Sequence, residues 1–437
     1  MKISVIGLGY LGAVHAASMA KLGHEVVGVD VDATKVDALA AGKSPFYEPG
    51  LDELLTEVSG TGRLRVSTDL ADVAGARVHF VCVGTPQVAD GHAADLTYVN
   101  SAIDQLVGYL IPGDLVVGKS TVPVGTAARL ADKVRAGQPG AALAWNPEFL
   151  REGFAVQDTL HPDRIVYGVP AGENGEQVRE LLDEVYADLL AEAIPRIVTD
   201  YPTAELVKVA ANSFLATKIS FINAMAELCE VAGGDVTQLA DAIGHDVRIG
   251  RRFLNAGLGF GGGCLPKDIR AFRARAQELG AGDAVEFLAD VDDINNRRRA
   301  RMVQLAHEVL DGSVAGKKVT VLGAAFKPDS DDVRDSPALD VAARLGELGA
   351  HVTVSDPKAI ENARRRQPQL AYEQDVEVAL DGADAVLVLT EWKQYRELDP
   401  ARVGAVVAGK NVLDGRNALD RDAWRAAGWQ YRALGRS

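Results

Sequence analysis

Cysteine is scarce: three residues, Cys82, Cys229 and Cys264, in 437 positions. They are too few, odd in number and too far apart for a disulfide framework, which suits a reducing compartment and a thiol used as a thiol. Positive charge is also short. The 46 Lys and Arg against 61 Asp and Glu leave a formal net charge of −15, so no basic face is implied and nucleic acid is excluded as a general partner. The basic clusters, Arg297–Arg299 with Arg301 and Arg364–Arg366, stand in polar, helix-like surroundings and read as solvated faces. No apolar run approaches the roughly 18 residues of a membrane span. The opening MKISVIGLGYLG is too short and too rich in glycine for the apolar core of a secretory signal. A cytoplasmic protein with no membrane partner is expected.

Glycine, by contrast, is plentiful, and it concentrates at residues 257–268, GLGFGGGCLPKD. Gly257, Gly259, Gly261, Gly262 and Gly263 lead into Cys264, followed by Lys267 and Asp268. Such a loop lets backbone or ligand approach closely, and a thiol beside a cation has the setting that favours a thiolate nucleophile. A buried, inert cysteine in a glycine-rich loop is the competing reading, since cysteines are among the most buried residues.

The 437 residues, 47% hydrophobic and 24% charged, suffice for two or three globular domains. Residues 2–7 form a β-branched run ending at Gly7, Gly9 and Gly12 of GLGYLG; a helix-like stretch and a second apolar strand ending at Asp30 follow. GxGxxG alone is weak, but strand, turn, helix and an acid about 20 residues on together make the dinucleotide fingerprint. Asp30 would accept from the adenosine ribose hydroxyls, favouring NAD over NADP; Lys35 could approach the same ribose or sit solvated. Further strands end at Gly84-Thr85-Pro86, before Ser120 and Thr121, and at Asn146-Pro147-Glu148, with Glu152 four residues later. If that last loop turns helical, the two glutamates share a face. Closing strands are expected at 164–170 and 196–200, around an amphipathic helix at 174–191.

From 201 to 310 the strand signal vanishes. Residues 203–233 have helical apolar spacing with Lys208 and Asn212 on one face, and so long a helix is a candidate dimer seam. Cys82 and Cys229 lie in apolar runs and read as packing. From 317 the alternation resumes, with strands at 317–322, 351–357, 383–392 and 410–417, but Gly323-Ala-Ala is no dinucleotide fingerprint. The fold class expected is α/β: two Rossmann-like doubly wound parallel-sheet domains (1–200 and 311–437) joined by a central long-helix domain (201–310).

With GLGYLG, STVPVGT, NPEFLREG, the Lys208/Asn212 helix, GFGGGCLPKD and FKPDSDDVRDSP in this order, the chain resembles the UDP-glucose/GDP-mannose dehydrogenase family over essentially its whole length. The resemblance implies oxidation of a sugar-nucleotide primary alcohol to the carboxylate with two NAD⁺ in succession. It implies Cys264 as nucleophile, Asp268 and Lys208 for the first alcohol proton and oxyanion charge, Glu148 for the hydrolytic water, and Asn212 and Thr121 in the surrounding network. NAD contacts would come from Gly7, Gly9, Tyr10, Leu11, Gly12, Asp30, Lys35, Thr85, Thr121, Glu152, Lys267 and Arg334. Substrate contacts would come from Glu148, Phe149, Leu150, Arg151, Glu152, Lys208, Asn212, Phe253, Leu254, Asn255, Ala256, Gly257, Gly261, Lys327 and Arg416, and from Arg248 reaching into a partner subunit of a homodimer. No metal is expected. UDP-glucose is favoured by YEPGLDELL and FKPDSDD, with GDP-mannose or UDP-N-acetylmannosamine as alternatives; GGGC stands where relatives commonly have GGSC. A non-catalytic nucleotide sensor and a single-step dehydrogenase of the 3-hydroxyacyl type are the rivals. The latter needs a histidine base, and none of the eight histidines stands in such a constellation.

Overall fold

The β-branched runs become two parallel sheets in the computed structural model, which describes residues 1–436. The first sheet contains β1 (Lys2–Ile6), β2 (Glu25–Val29), β3 (Leu64–Ser67), β4 (Val78–Val81), β5 (Leu115–Gly118), β6 (Ala142–Trp145), β7 (Ile165–Gly168) and β8 (Arg196–Thr199). Its spatial order, β3-β2-β1-β4-β5-β6-β7-β8, reverses direction between β1 and β4. In doubly wound sheets that reversal opens a crevice at the carboxyl ends of the strands, where ligands bind. Both faces are covered, which explains the continuous apolar runs. Ile3 and Val5 enter one core with Val14, Met19 and Phe80, and Ile6 enters the opposite one with Val27, Val81 and Trp145.

The second sheet holds β9 (Lys318–Leu322), β10 (His351–Ser355), β11 (Ala371–Tyr372), β12 (Ala385–Val388), β13 (Asn411–Asp414) and β14 (Gln430–Ala433), in the order β11-β10-β9-β12-β13-β14. It repeats the reversal of the first sheet. Strands β3, β11 and β14 lie outside the sequence expectation. All three are edge strands carrying exposed or half-exposed positions, so they lack the buried pattern that marks central strands.

The helices that matter to the site are α1 (Tyr10–Lys21), α2 (Ala155–Leu160), α3 (Glu173–Val185), α4 (Tyr201–Ala232), α5 (Leu265–Glu278), α6 (Phe287–Val309) and α7 (Pro337–Glu347). The helix expected at 174–191 ends at Val185, and a separate turn of helix follows at Ala187–Ala191. No strand interrupts the chain between β8 and β9. No described helix is long and apolar enough to cross a membrane. The chain forms two units, one of Met1–Ala211 with Arg270–Gly282, the other of Asn212–Ile269 with Asp283 to the C-terminus.

Two local expectations are corrected. β7 is antiparallel to β6, pairing Trp145 with Gly168, although parallel to β8. The chain therefore does not cross back between β6 and β7, and the connection 146–164 stays at the carboxyl end where ligands bind. That connection does not turn helical at Glu148, since helix starts only at Ala155, so Glu148 and Glu152 share no helix face.

Gly12 lies inside α1, where an added Cβ would collide with the carbonyl oxygen of Gly7, whereas a Cβ on Gly9 would meet nothing within 4 Å. Gly12→Ala is expected to destabilise the first unit by about 1–3 kcal/mol, the usual penalty of overpacking. Gly9→Ala should lower the calorimetric melting temperature less; equal losses in the two variants would contradict this packing account.

Candidate active site

In the first unit the turn from β1 into α1 has the form a dinucleotide needs. Gly7 takes φ +89°, and Gly9 caps α1 without a side-chain bond, leaving the first-turn N–H groups to face an anion. Asp30 follows β2 with its carboxylate held by backbone: Oδ2 accepts from Leu8 N at 2.7 Å and Oδ1 from Asp32 N at 2.9 Å. Lys35 Nζ stands 3.7 Å from Asp30. These residues fit the pyrophosphate and ribose of NAD. Nearby, Thr85 Oγ1 donates to the carbonyl of Thr121 at 2.8 Å, joining the loops after β4 and β5.

Glu148 sits just beyond β6. Its Oε1 accepts from the N–H groups of Phe149 (2.8 Å) and Leu150 (3.2 Å), and its Oε2 pairs with Lys119 Nζ at 3.0 Å. Lys119 follows β5, is buried, and also donates to Asn146 Oδ1 at 3.0 Å. Burial opposes its ammonium, yet the Glu148 carboxylate overrides that and holds the lysine above its ordinary range. The rest of the loop is equally tied. Arg151 Nη2 grips Asp158 at 2.6 Å. The guanidinium of Arg164 covers the Phe149 ring at 3.9 Å, and Lys208 Nζ lies 5.4 Å from the same ring, within cation–π range. Glu48, buried in the YEPG segment, accepts from Gly153 N (2.6 Å), Ala155 N (2.7 Å) and the hydroxyl of Tyr10. It thereby fastens the dinucleotide turn to the loop carrying Glu148 and the buried Glu152.

In the second unit the glycine loop is clamped from several elements. Gly257 N donates to Asn223 Oδ1 of α4 at 2.9 Å, Leu258 N to Gly415 O at 2.7 Å, and Gly262 N to Arg334 O at 2.9 Å. Asn295 of α6 both accepts from Phe260 N (2.7 Å) and donates to Phe260 O (2.9 Å). Gly259, at φ +92°, presses so close to Asn295 that a Cβ would strike its Oδ1. The loop ends at Cys264, whose carbonyl accepts the first helical bond of α5, from Asp268 N at 2.9 Å. Cys264 is thus the N-cap residue, where the helix dipole favours a thiolate. It is exposed, while Cys82 and Cys229 are buried. Burial pushes the Cys82 thiol up to about 12 and raises that of Cys229.

Asp268, one turn along α5, is only 2% exposed. It accepts from Asn212 Nδ2 and from Lys267 Nζ, both at 2.6 Å. Arg416 spends its guanidinium on three carbonyls, Gly259 (2.7 Å), Leu389 (2.8 Å) and Phe326 (3.2 Å), and so braces the loop. Arg334 pairs with Asp332 at 2.6 Å, and its guanidinium occupies the space a Cβ at Gly263 would need; a serine there would require the arginine to move. Lys327 Nζ lies 5.4 Å from the Phe326 ring. In the segment before the loop, Phe253 adopts φ +66°, Leu254, Ala256 and Gly257 are buried and Asn255 is exposed. Arg248, 85% exposed, pairs with Asp246 at 2.6 Å. Gly261 is close-packed, a Cβ there meeting Asp335 O.

Site-forming residues outside the sequence reading include Lys119, Glu48, Asn223 and Asn295. Lys119 stands immediately before the STVPVGT motif and Glu48 lies in YEPGLDELL, so their motifs were visible though their contacts were not. Asn295 lies amid a polar helix and carries no local signal.

Comparison with known proteins agrees with this geometry. The chain matches the UDP-glucose/GDP-mannose dehydrogenase family in its NAD binding domain (residues 1–190), its central domain (202–297) and its UDP binding domain (320–421). It is 42% identical over 440 residues to a UDP-glucose 6-dehydrogenase of Rhizobium meliloti, covering 100% of both chains. To a UDP-glucose 6-dehydrogenase of Bacillus subtilis it is 40% identical, covering 100% of this chain and 98% of the relative. The solved UDP-glucose dehydrogenase of the archaeon Pyrobaculum islandicum superposes with a TM-score of 0.89 at 40% identity, over 100% of this chain and 98% of that one. With a dinucleotide turn, a clamped cysteine loop and matches in every domain, the chain belongs to the UDP-glucose/GDP-mannose dehydrogenase family, whose members are NAD-dependent oxidoreductases.

Proposed function

We propose that the chain oxidises UDP-glucose at C6 to UDP-glucuronate, through a covalent bond to Cys264. The observation that carries the reading is Cys264 itself, the exposed cysteine of the three, placed at a helix N-cap by a clamped loop. Relatives near 40% identity that are named for UDP-glucose favour that sugar nucleotide. A UDP-D-ManNAc dehydrogenase of Pyrococcus horikoshii is 26% identical.

NAD⁺, when bound, accepts one hydride in each of the two oxidations. Asp268, with Lys208, takes the alcohol proton and steadies the developing oxyanion as the alcohol becomes an aldehyde. The Cys264 thiolate then adds to the aldehyde carbon, forming a C–S bond and a thiohemiacetal, whose carbon can again give up hydride to leave a thioester. Water, handing a proton to Glu148, attacks the thioester carbonyl; the C–S bond breaks and Cys264 leaves as thiolate. Per sugar, one alcohol, one water and two NAD⁺ give one carboxylate, two NADH and three protons. Asn212 and Thr121 complete the proton network. Asn212 is supported by its bond to Asp268.

The division at residues 200 and 310, a cytoplasmic location and a homodimer belong to the same reading. Phe214, Phe221 and Leu228 recur every seven residues along α4 and are 66%, 50% and 61% exposed, with Val231 at 90%. An apolar stripe of that kind suits a second copy of the chain, across which Arg248 would reach the neighbouring site. Phe221→Glu with Leu228→Glu should convert a dimer to monomer in sedimentation analysis; an unchanged sedimentation coefficient, or a wild-type chain that is already monomeric, would contradict the seam.

Cys264→Ser separates the two oxidations. It should release at most one NADH per site in a single turnover, where the wild-type chain releases two. Asp268→Asn should instead slow the first NADH, by about 10²–10⁴-fold, the usual range for a general base. Two NADH at the wild-type rate from Cys264→Ser would sink the covalent route.

A further inference from the structure

Lys119 has no part in the scheme above, yet its ammonium is buried. Its side chain is 3% exposed, and a buried ammonium is tolerated only when paired and hydrogen-bonded. An apolar side chain of similar volume would fill the same space at lower cost, so its partners matter. Lys119 Nζ reaches Glu148 Oε2 and Asn146 Oδ1, each at 3.0 Å, and lies 5.9 Å from the Phe80 ring. Asn146 is itself immobilised. Its Nδ2 donates to Val166 O at 2.9 Å, and its Oδ1 also accepts from the hydroxyl of Tyr186 at 2.6 Å. Tyr186, at the end of α3, is buried. A chain of hydrogen bonds, charge-assisted where Lys119 donates, thus runs Tyr186–Asn146–Lys119–Glu148. Its other members are buried, and only Glu148 touches solvent, with 15% of its side chain exposed.

The arrangement determines what Glu148 can do. Oε1 is fixed by two backbone N–H groups and Oε2 by the ammonium, so the carboxylate has one rotamer and one open edge. Each carboxylate oxygen carries two lone pairs, which leaves acceptor capacity on that edge for a water.

We propose that Lys119 is a positioning residue for thioester hydrolysis, holding the Glu148 carboxylate in the orientation that receives the proton of the attacking water. The inference rests on the reading of Glu148 given above. Lys119 touches neither sugar nor nicotinamide in this role; it acts through Glu148 alone. Both hydride transfers therefore proceed without it, and only release from Cys264 slows.

The test uses the full-length chain with UDP-glucose and NAD⁺ in stopped flow. Lys119→Met, which keeps the stem and removes the charge, should give a burst of two NADH per site followed by slow turnover. Glu148→Gln should give the same burst. Because one residue acts through the other, the double variant should turn over no more slowly than Glu148→Gln alone. The loss in Lys119→Met is bounded by that of Glu148→Gln, itself on the order of 10²–10⁴-fold for a general base. Should Lys119→Met fail to fold by its melting curve, Tyr186→Phe, which removes the hydroxyl bonded to Asn146, decides by a smaller slowing with the same burst. Wild-type turnover, a slowed first NADH without a burst, or additive losses in the double variant would overturn the role of Lys119. A missing burst in Glu148→Gln itself would overturn the reading of Glu148 and Lys119 with it, whereas a burst there and none in Lys119→Met refutes Lys119 alone.

Discussion

Phe260 gives its N–H to Asn295 and takes the other end of the same side-chain amide on its carbonyl. This paired bond, buried under α6, is the constraint on which the placing of Cys264 depends. A loop of so many glycines has more backbone entropy to lose than any other stretch of its length, and nothing within it could fix the thiol. The fixing comes from outside: Asn223 from α4, Asn295 from α6, Arg416 after β13 and the backbone of Arg334. Each bond contributes only about 1 kcal/mol net. Leaving any of these buried groups unpaired would cost more than that, so the loop has one conformation to adopt. Cys264 then stands where the loop hands over to α5, at the positive end of the helix.

The first unit solves a parallel problem by another device. Glu148 lies in the non-helical first part of a connection, residues 146–154, between two strands that run antiparallel. Because the chain need not cross back, the whole connection remains at the carboxyl edge of the sheet, beside the dinucleotide turn. Glu48 anchors its far end and Lys119 its near end. Both are charged groups in the interior, where electrostatic bonds are strong and unpaired charge is heavily penalised. The second unit holds the Cys264 loop with side-chain amides and one guanidinium, and the first holds the Glu148 carboxylate with buried charge.

Much of this was legible in the residues. The alternation of apolar runs with turn glycines predicts both doubly wound sheets, and the disappearance of strand signal after residue 201 predicts the long helix to within two residues at either end. Edge strands β3, β11 and β14 were not legible, because a half-exposed strand carries little apolar pattern. Nor was the antiparallel turn of β7, since strand direction leaves no mark on a buried run. At the site, the residues proposed to touch reactants sit in recognisable spacings, such as Asp268 one turn after Cys264. The residues that hold them do not: Asn295 is one polar residue among many on α6, and its two bonds to Phe260 exist only in three dimensions. Arg416 sits at the strand end where the sequence places it, with its guanidinium turned to carbonyls of the loop.

The central claim is that a sugar carbon becomes bonded to the Cys264 sulfur between the two hydride transfers. The most direct measurement is rapid acid quench of the wild-type chain during its first turnover, with UDP-glucose isotopically labelled at C6, followed by peptide mass spectrometry. The account predicts the label on the peptide carrying Cys264, released by hydroxylamine as a thioester would be. Label on the Cys82 or Cys229 peptide, or two NADH formed per sugar with no label on Cys264 at any quench time, would contradict it.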